Sequence, residues 1–180
     1  MIALLGESMT EPAGIGEYTR NIQSRLHQDV ITENLHKFPI KHLWYPYIIR
    51  KLDHELIHNP AQYPTFFKPK NKYVITVHDL VPITHPHFHR YPLRFVYTWY
   101  KKTLSTADHI ITPSEFTKSE IKRLYGFENI TVIHNGIDPI QIYNKYEDRP
   151  HNITFIGTIE PRKNVDELRG GSRLGGYREL

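Results

Sequence analysis

The stretch Ala107-Asp108-His109-Ile110-Ile111-Thr112-Pro113-Ser114-Glu115-Phe116-Thr117-Lys118-Ser119-Glu120-Ile121-Lys122-Arg123-Leu124-Tyr125-Gly126 decides the fold. Its first part is a short β-branched run at 109–112 whose 110–111 centre has little polar alternation, as a strand buried on both faces should. Pro113 interrupts it. Ser114 then offers an N-cap oxygen, Glu115 places an anion in the first turn, Lys122 and Arg123 place cations in the last, and Gly126 ends the helix. A buried strand that leads directly into a capped helix is the repeating unit of an α/β sheet.

The same alternation extends outward in both directions. β-Branched or aliphatic runs fall at 2–5, 73–77, 130–133 and 153–156. Helical spacing falls between them: Tyr18, Ile22 and Leu26 line one face of 16–27, and Leu93, Val96, Tyr97, Tyr100 and Leu104 line one face of 90–106. Strands that alternate with helices give right-handed crossovers and a parallel sheet. The expected fold is therefore α/β, a Rossmann-like parallel sheet with flanking helices. Residues 138–150, with Asp138-Pro139 and Tyr146-Glu147-Asp148-Arg149-Pro150, read as a linker. This predicts one complete domain over 1–149 and the start of a second over 150–180. Four glycines between 170 and 176 oppose a helix there and mark a frayed tail.

Composition narrows the function. The chain has 180 residues, 23 Lys and Arg against 19 Asp and Glu, 12 His and no Cys. Without Cys there is no disulfide scaffold, zinc-thiolate site or thiol nucleophile. The apolar runs fall far short of the ~20 residues that cross a bilayer. Gly6-Glu7 breaks the apolar start, so no signal peptide is expected. These features predict a soluble, cytoplasmic protein. A net charge of +4 suits anionic ligands or surfaces without naming one.

In open parallel sheets ligands bind beyond the carboxyl ends of the strands. Each strand exit here carries small, polar or ionisable residues: Gly14-Ile15-Gly16 after the first run, His78-Asp79 after 73–77, Pro113-Ser114 after 109–112, His134-Asn135-Gly136 after 130–133, and Gly157-Thr158 then Arg162-Lys163 after 153–156. Gly14 and Gly16 permit close backbone approach to a phosphate, or simply form a flexible turn before a helix; both readings stand. Thr19 occupies the third small-residue position of a dinucleotide fingerprint, which disfavours a nicotinamide or flavin oxidoreductase. His78 can bond a sugar hydroxyl or shuttle a proton, or merely cap backbone. His85, His87 and His89 alternate, but Pro82 and Pro86 oppose an extended strand and no carboxylate lies among them. No metal site is expected. Arg162 and Lys163 precede a helix start, where cations oppose the helix dipole and want an anionic partner such as a diphosphate.

On 90–106 a second face carries Arg90, Arg94, Thr98, Lys101, Lys102 and Ser105, with Phe95 and Trp99 beside it. This face either contacts an anionic membrane or lipid-linked ligand, or is a solvated face with its aromatic flanks buried. No nucleic-acid-binding module accompanies it, so no nucleic-acid partner is expected.

Five segments in order carry a further message: 14–21 (Gly-Ile-Gly-Glu-Tyr-Thr-Arg-Asn), 78–82 (His-Asp-Leu-Val-Pro), 107–118, 132–138 and 157–164. The series resembles family-four retaining glycosyltransferases, a group that includes many mannosyltransferases, over residues 14–168. The resemblance implies the GT-B architecture, two Rossmann-like domains that face one another across a cleft. It implies transfer of a sugar, mannose above others, from a GDP- or UDP-linked nucleotide-sugar to a glycan or lipid-linked saccharide in polysaccharide biosynthesis. Retention of anomeric configuration, no metal ion and no cofactor beyond the substrates also follow from it. It makes His78 a catalytic contact of the transferred sugar. Gly14, Gly16, Asp79, Ser114, Asn135 and Gly136 become substrate-binding residues, and Arg162 with Lys163 faces the donor diphosphate. Thr158 stands where many relatives place an Arg. The acidic sugar-binding loop of the second domain has no counterpart after Leu168. The chain is thus expected to be the acceptor-side half, truncated and inactive alone. Peripheral attachment to the inner face of a membrane through 90–106 and a homodimer through the exposed domain interface are further expectations. The rival reading is a non-enzymatic module that binds anionic lipid or polysaccharide.

Overall fold

The computed structural model describes residues 2–6, 9, 14–26, 30–33, 41–88, 92–137, 155, 157, 163–165 and 167. Contacts divide the chain into two compact units, Met1–Gly136 and Ile137–Leu180. The expected linker at 138–150 and the tail after 168 lie outside the described residues, as does the expected strand at 153–156 apart from Phe155.

The first unit contains β1 (Ile2–Leu5), α1 (Gly14–Arg25), β2 (Val30–Glu33), α2 (Lys41–Lys51), β3 (Leu56–Asn59), β4 (Lys72–Thr76), α3 (Val81–Thr84), a 3-10 turn at Pro86–Phe88, α4 (Leu93–Leu104), β5 (His109–Thr112), α5 (Glu115–Tyr125) and β6 (Ile130–Val132). The six strands form one sheet in the order β2-β1-β3-β4-β5-β6, and every pairing is parallel. The Rossmann-like α/β sheet expected from sequence is therefore present. Because all strands run one way, all their carboxyl ends lie on one edge. The chain moves one way from β1 to β2 and the other way from β3 onward, so the switch point lies between β1 and β3.

Strand parity sorts the interior. Ala3, Leu5, Ile57, Tyr73, Ile75 and Ile110 point to one face, where Tyr45 and Ile49 of α2, Val96 and Leu104 of α4 and Ile121 of α5 complete a single apolar core. The register pairs Ile57 with Tyr73 and His58 with Val74, so His58 and Thr76 share the opposite face. The side chain of Tyr18 in α1 reaches Thr76 there.

α5 is built as its caps require. Ser114 is the N-cap in extended geometry and its Oγ accepts from the Thr117 N–H at 3.2 Å. Gly126 ends the helix at φ 73°, a left-handed position where a Cβ is unfavourable. α4 starts at Leu93 and stops at Leu104, inside the expected 90–106. Leu26, expected on the apolar stripe of the first helix, lies just past the end of α1 and is exposed.

Candidate functional site

The site begins at β3 and β4, where a buried polar chain crosses the strands near their carboxyl ends. The His58 imidazole Nε2 lies 2.9 Å from the Thr76 hydroxyl. The same hydroxyl is 3.1 Å from the phenol of Tyr18, delivered by α1. Two residues beyond Thr76 stands His78, whose ring meets Tyr18 edge-on at 4.8 Å. Buried polar groups persist only when bonded, and a single hydroxyl here serves both a histidine and a tyrosine.

The tautomer of His78 follows from its partner. Its Nε2 is 2.8 Å from the carbonyl oxygen of Pro60. A carbonyl only accepts, so Nε2 carries the hydrogen and, in the neutral ring, Nδ1 carries the lone pair. Nδ1 has no hydrogen-bond partner among the described residues. Burial lowers the pKa of His78; the Pro60 carbonyl and the Asp79 carboxylate oppose that shift only in part. Burial, aided by the neighbouring His78, lowers His58 further, to about 4. Both rings are thus neutral near pH 7. His78 presents an acceptor suited to a hydroxyl group, and Tyr18 presents a ring edge beside it. Burial raises the Tyr18 phenol above its ordinary value, so it too is neutral.

The neighbouring exits hold this centre in place. The Asp79 carboxylate accepts from the Val81 N–H at 3.1 Å, a tight turn just ahead of α3, while Gln62 donates to the Asp79 carbonyl at 3.4 Å. The Thr117 hydroxyl donates to the His78 carbonyl at 3.4 Å, and Thr117 is placed by the Ser114 cap. Of the residues read from sequence as substrate-binding, Asp79 thus closes a turn ahead of α3 and Ser114 caps α5, both beside the site. Gly14 and Gly16 form the first turn of α1 rather than a loop ahead of it. Gly16 is buried there, whereas a Cβ at Gly14 would meet nothing within 4 Å. Asn135 and Gly136 follow β6 on the same edge, both exposed. The exit of β5 separates them from His78, and no contact among the described residues joins them to it.

In the second unit, Lys163 packs its ammonium against the turn at Gly157. A Cβ built there would lie 3.0 Å from Nζ, and φ of 151° also favours glycine. Gly157 and the lysine of the expected diphosphate site thus meet each other. Arg162 lies outside the described residues. His85 and His87 flank the ring of Phe88 in the 3-10 turn; His89 is outside the described residues, among which no three His, Cys, Asp or Glu gather as a metal set.

The sequence profile of Glycosyltransferase Family 4 matches residues 11–141. The chain belongs to this family. The match contains α1 and the whole His78 cluster. The chain is also similar to the O-antigen chain mannosyltransferase B of Escherichia coli, 27% identical over 121 residues. That match covers 58% of this chain and 32% of that protein, so the chain spans about a third of the length of this relative. No solved structure matches it.

Sequence reasoning missed three residues of the family member's centre. Tyr18 falls on the apolar stripe of its helix. No run in the sequence marks β3, which hides His58, and Thr76 lies within the β-branched run at 73–77. The usable signal was His58 itself, a histidine inside the aliphatic stretch Leu56-Ile57-His58.

Proposed function

We propose that the chain supplies the acceptor-side domain of an enzyme that transfers a sugar, mannose, from a GDP- or UDP-linked donor to a hydroxyl of a glycan or lipid-linked saccharide, with retention. Glycosyl transfer rests on family membership. The choice of mannose rests on the name of the related Escherichia coli protein. The observation that carries the reading is His78, a neutral imidazole on the strand-exit edge whose Nε2 is fixed by Pro60 and whose Nδ1 is open.

In this reading His78 accepts a hydrogen bond from a sugar hydroxyl and Tyr18 closes one side of the sugar. The acceptor hydroxyl oxygen bonds to the anomeric carbon as the bond from that carbon to the donor diphosphate breaks. The diphosphate keeps the electron pair, and the hydroxyl proton ends on it. Arg162 and Lys163 offset its charge, which is where most of the barrier lowering arises. Substrate groups alone carry the reaction, with no metal ion or further cofactor.

Saturation-transfer NMR on this chain with a mannose-terminated oligosaccharide tests the reading. Saturation of mannose ring protons is expected for the native chain and its loss for His78→Ala. Failure of the native chain to contact any mannoside at millimolar concentration would overturn it, as would undiminished contact in His78→Ala.

A further inference from the structure

The edge of the sheet opposite His78 holds a cavity of its own. Its volume is about 350 Å³, and Glu55, Lys68, Lys70, Asn71, Lys72 and Asp108 line it. Glu55 directly precedes β3, Lys72 opens β4 and Asp108 directly precedes β5. These three strands are parallel neighbours, with β4 in the middle. The cavity therefore lies at the amino ends of the strands, away from the exits that carry His78.

The approach to β4 supplies the cations. Lys68, Lys70 and Lys72 are exposed, whereas Pro69 and Tyr73 beside them are buried. The buried residues anchor the segment, and the three lysines line one concave space. The two carboxylates that flank them are already engaged. Asp108 accepts from the Lys68 ammonium at 2.7 Å and from the Tyr73 N–H at 2.9 Å. Glu55 has a partner other than these lysines. The Asn71 amide donates to Asp53 at 3.4 Å. Among the described residues, Lys70 and Lys72 make no hydrogen bond or ion pair, and Lys72 feels Asp108 only at longer range. Ammonium groups that share a cavity repel one another. An anion between them removes the repulsion and takes up their N–H donors.

We propose that this cavity binds a phosphate-bearing small molecule, with the ammonium groups of Lys70 and Lys72 donating to its phosphate oxygens. A phosphate group offers about three strong acceptor oxygens and roughly two charges near pH 7, enough to engage two ammonium groups together. A carboxylate has less of both. The volume lies at the lower end of small-molecule sites, roughly 300–1,000 Å³, and suits one compact ligand rather than a length of polymer. Lys68 is held to the wall by Asp108 and contributes charge rather than a free donor. The inference stands on this cavity alone and survives whether or not the chain transfers sugar.

Titration of the native chain with inorganic pyrophosphate, followed by calorimetry and by amide NMR, is the test. Saturable binding is expected, with amide shifts concentrated at 68–73 and 107–109, and it should weaken as salt rises. Lys70→Gln with Lys72→Gln should weaken it about tenfold or more. Arg94→Gln with Lys101→Gln removes the same charge from exposed positions on α4 and should change it by less than about twofold. All four side chains are exposed, so both variants keep the native urea transition. Lys163→Gln should also leave binding in place. Absence of saturable binding at low salt would overturn the proposal. So would equal weakening in the α4 variant, which marks diffuse attraction to a basic chain, or loss in Lys163→Gln, which places the anion in the second unit. Succinate binding as tightly as pyrophosphate would overturn the choice of phosphate.

Discussion

Lowering the pH from 7.5 to 5 will cost the first unit about 2 kcal/mol of stability through His58 alone. In the folded chain His58 is buried and titrates at about 4, whereas in the unfolded chain it titrates near 6.5, the ordinary value. The folded value is depressed, so between these limits the unfolded state binds the extra proton. Stability from this group is complete above about pH 7, falls through the window from 6.5 to 4, and has dropped by about 3 kcal/mol at pH 4. His78 shifts in the same direction and adds to the fall. The carboxylate of Asp108 is also held low: burial alone would raise it, and its bonds to Lys68 and the Tyr73 N–H outweigh that. Its contribution disappears only below about pH 4, the ordinary aspartate value. The interval from 6.5 to 5 therefore belongs to histidine. Urea unfolding at half-unit pH steps, for the native chain and His58→Gln, isolates the effect. Glutamine keeps a nitrogen donor for Thr76 but cannot titrate. The native curve should fall about 2 kcal/mol further than the variant's by pH 5. Parallel curves, or a His58 imidazole resonance that titrates near 6.5, would refute the buried, neutral ring on which the site geometry depends.

Other perturbations test the scaffold beneath the site. Ser114→Ala removes the α5 cap and should cost about 1 kcal/mol in urea unfolding; if Thr117 also loosens, amide exchange at the His78 exit will quicken. Gly126→Ala places a Cβ at φ 73° with no steric neighbour, so only backbone strain of about 1 kcal/mol is expected. Tyr73→Phe leaves the buried Asn59 amide and Thr65 hydroxyl short of a partner and should destabilise by about 1–3 kcal/mol. A neutral effect at Tyr73 would show that water replaces the phenol.

What could be read from sequence was what is local. The caps of α5 lie within one helix of the residues they serve; the run at 2–5 is aliphatic throughout, and that at 109–112 is set by its β-branched Ile110-Ile111 pair and the Pro113 that stops it, so both are legible with correct bounds. β3 did not emerge, because its four residues end in His58 and Asn59. Each of these finds its partner far along the chain, His58 at Thr76 and Asn59 at Tyr73. α2 was hidden by Pro46 inside it. The rule that ligands gather at strand exits brought out His78. Its companions escaped because Tyr18 bonds a hydroxyl 58 positions away, a separation no periodicity reports.

Parity accounts for where that polar chain sits. A strand offers alternate residues to opposite faces, and the face shared by α2, α4 and α5 is filled by aliphatic and aromatic groups. Polar side chains placed there need partners at hand; the Asn59 amide donates to the Tyr73 phenol and the Tyr63 carbonyl, and its oxygen accepts from the Ala61 and Tyr63 N–H groups. The face toward α1 instead receives His58 and Thr76, close to the switch point where the carboxyl ends open to ligand. Burial there keeps both histidines neutral, and Thr76 satisfies its neighbours with one hydroxyl. His78, one step further out, bonds through Nε2 only. The buried pair bears the cost of desolvation and the outer ring keeps an unfilled acceptor. That division lets an otherwise closed α/β sheet present a fixed, uncharged hydrogen-bond acceptor at its edge.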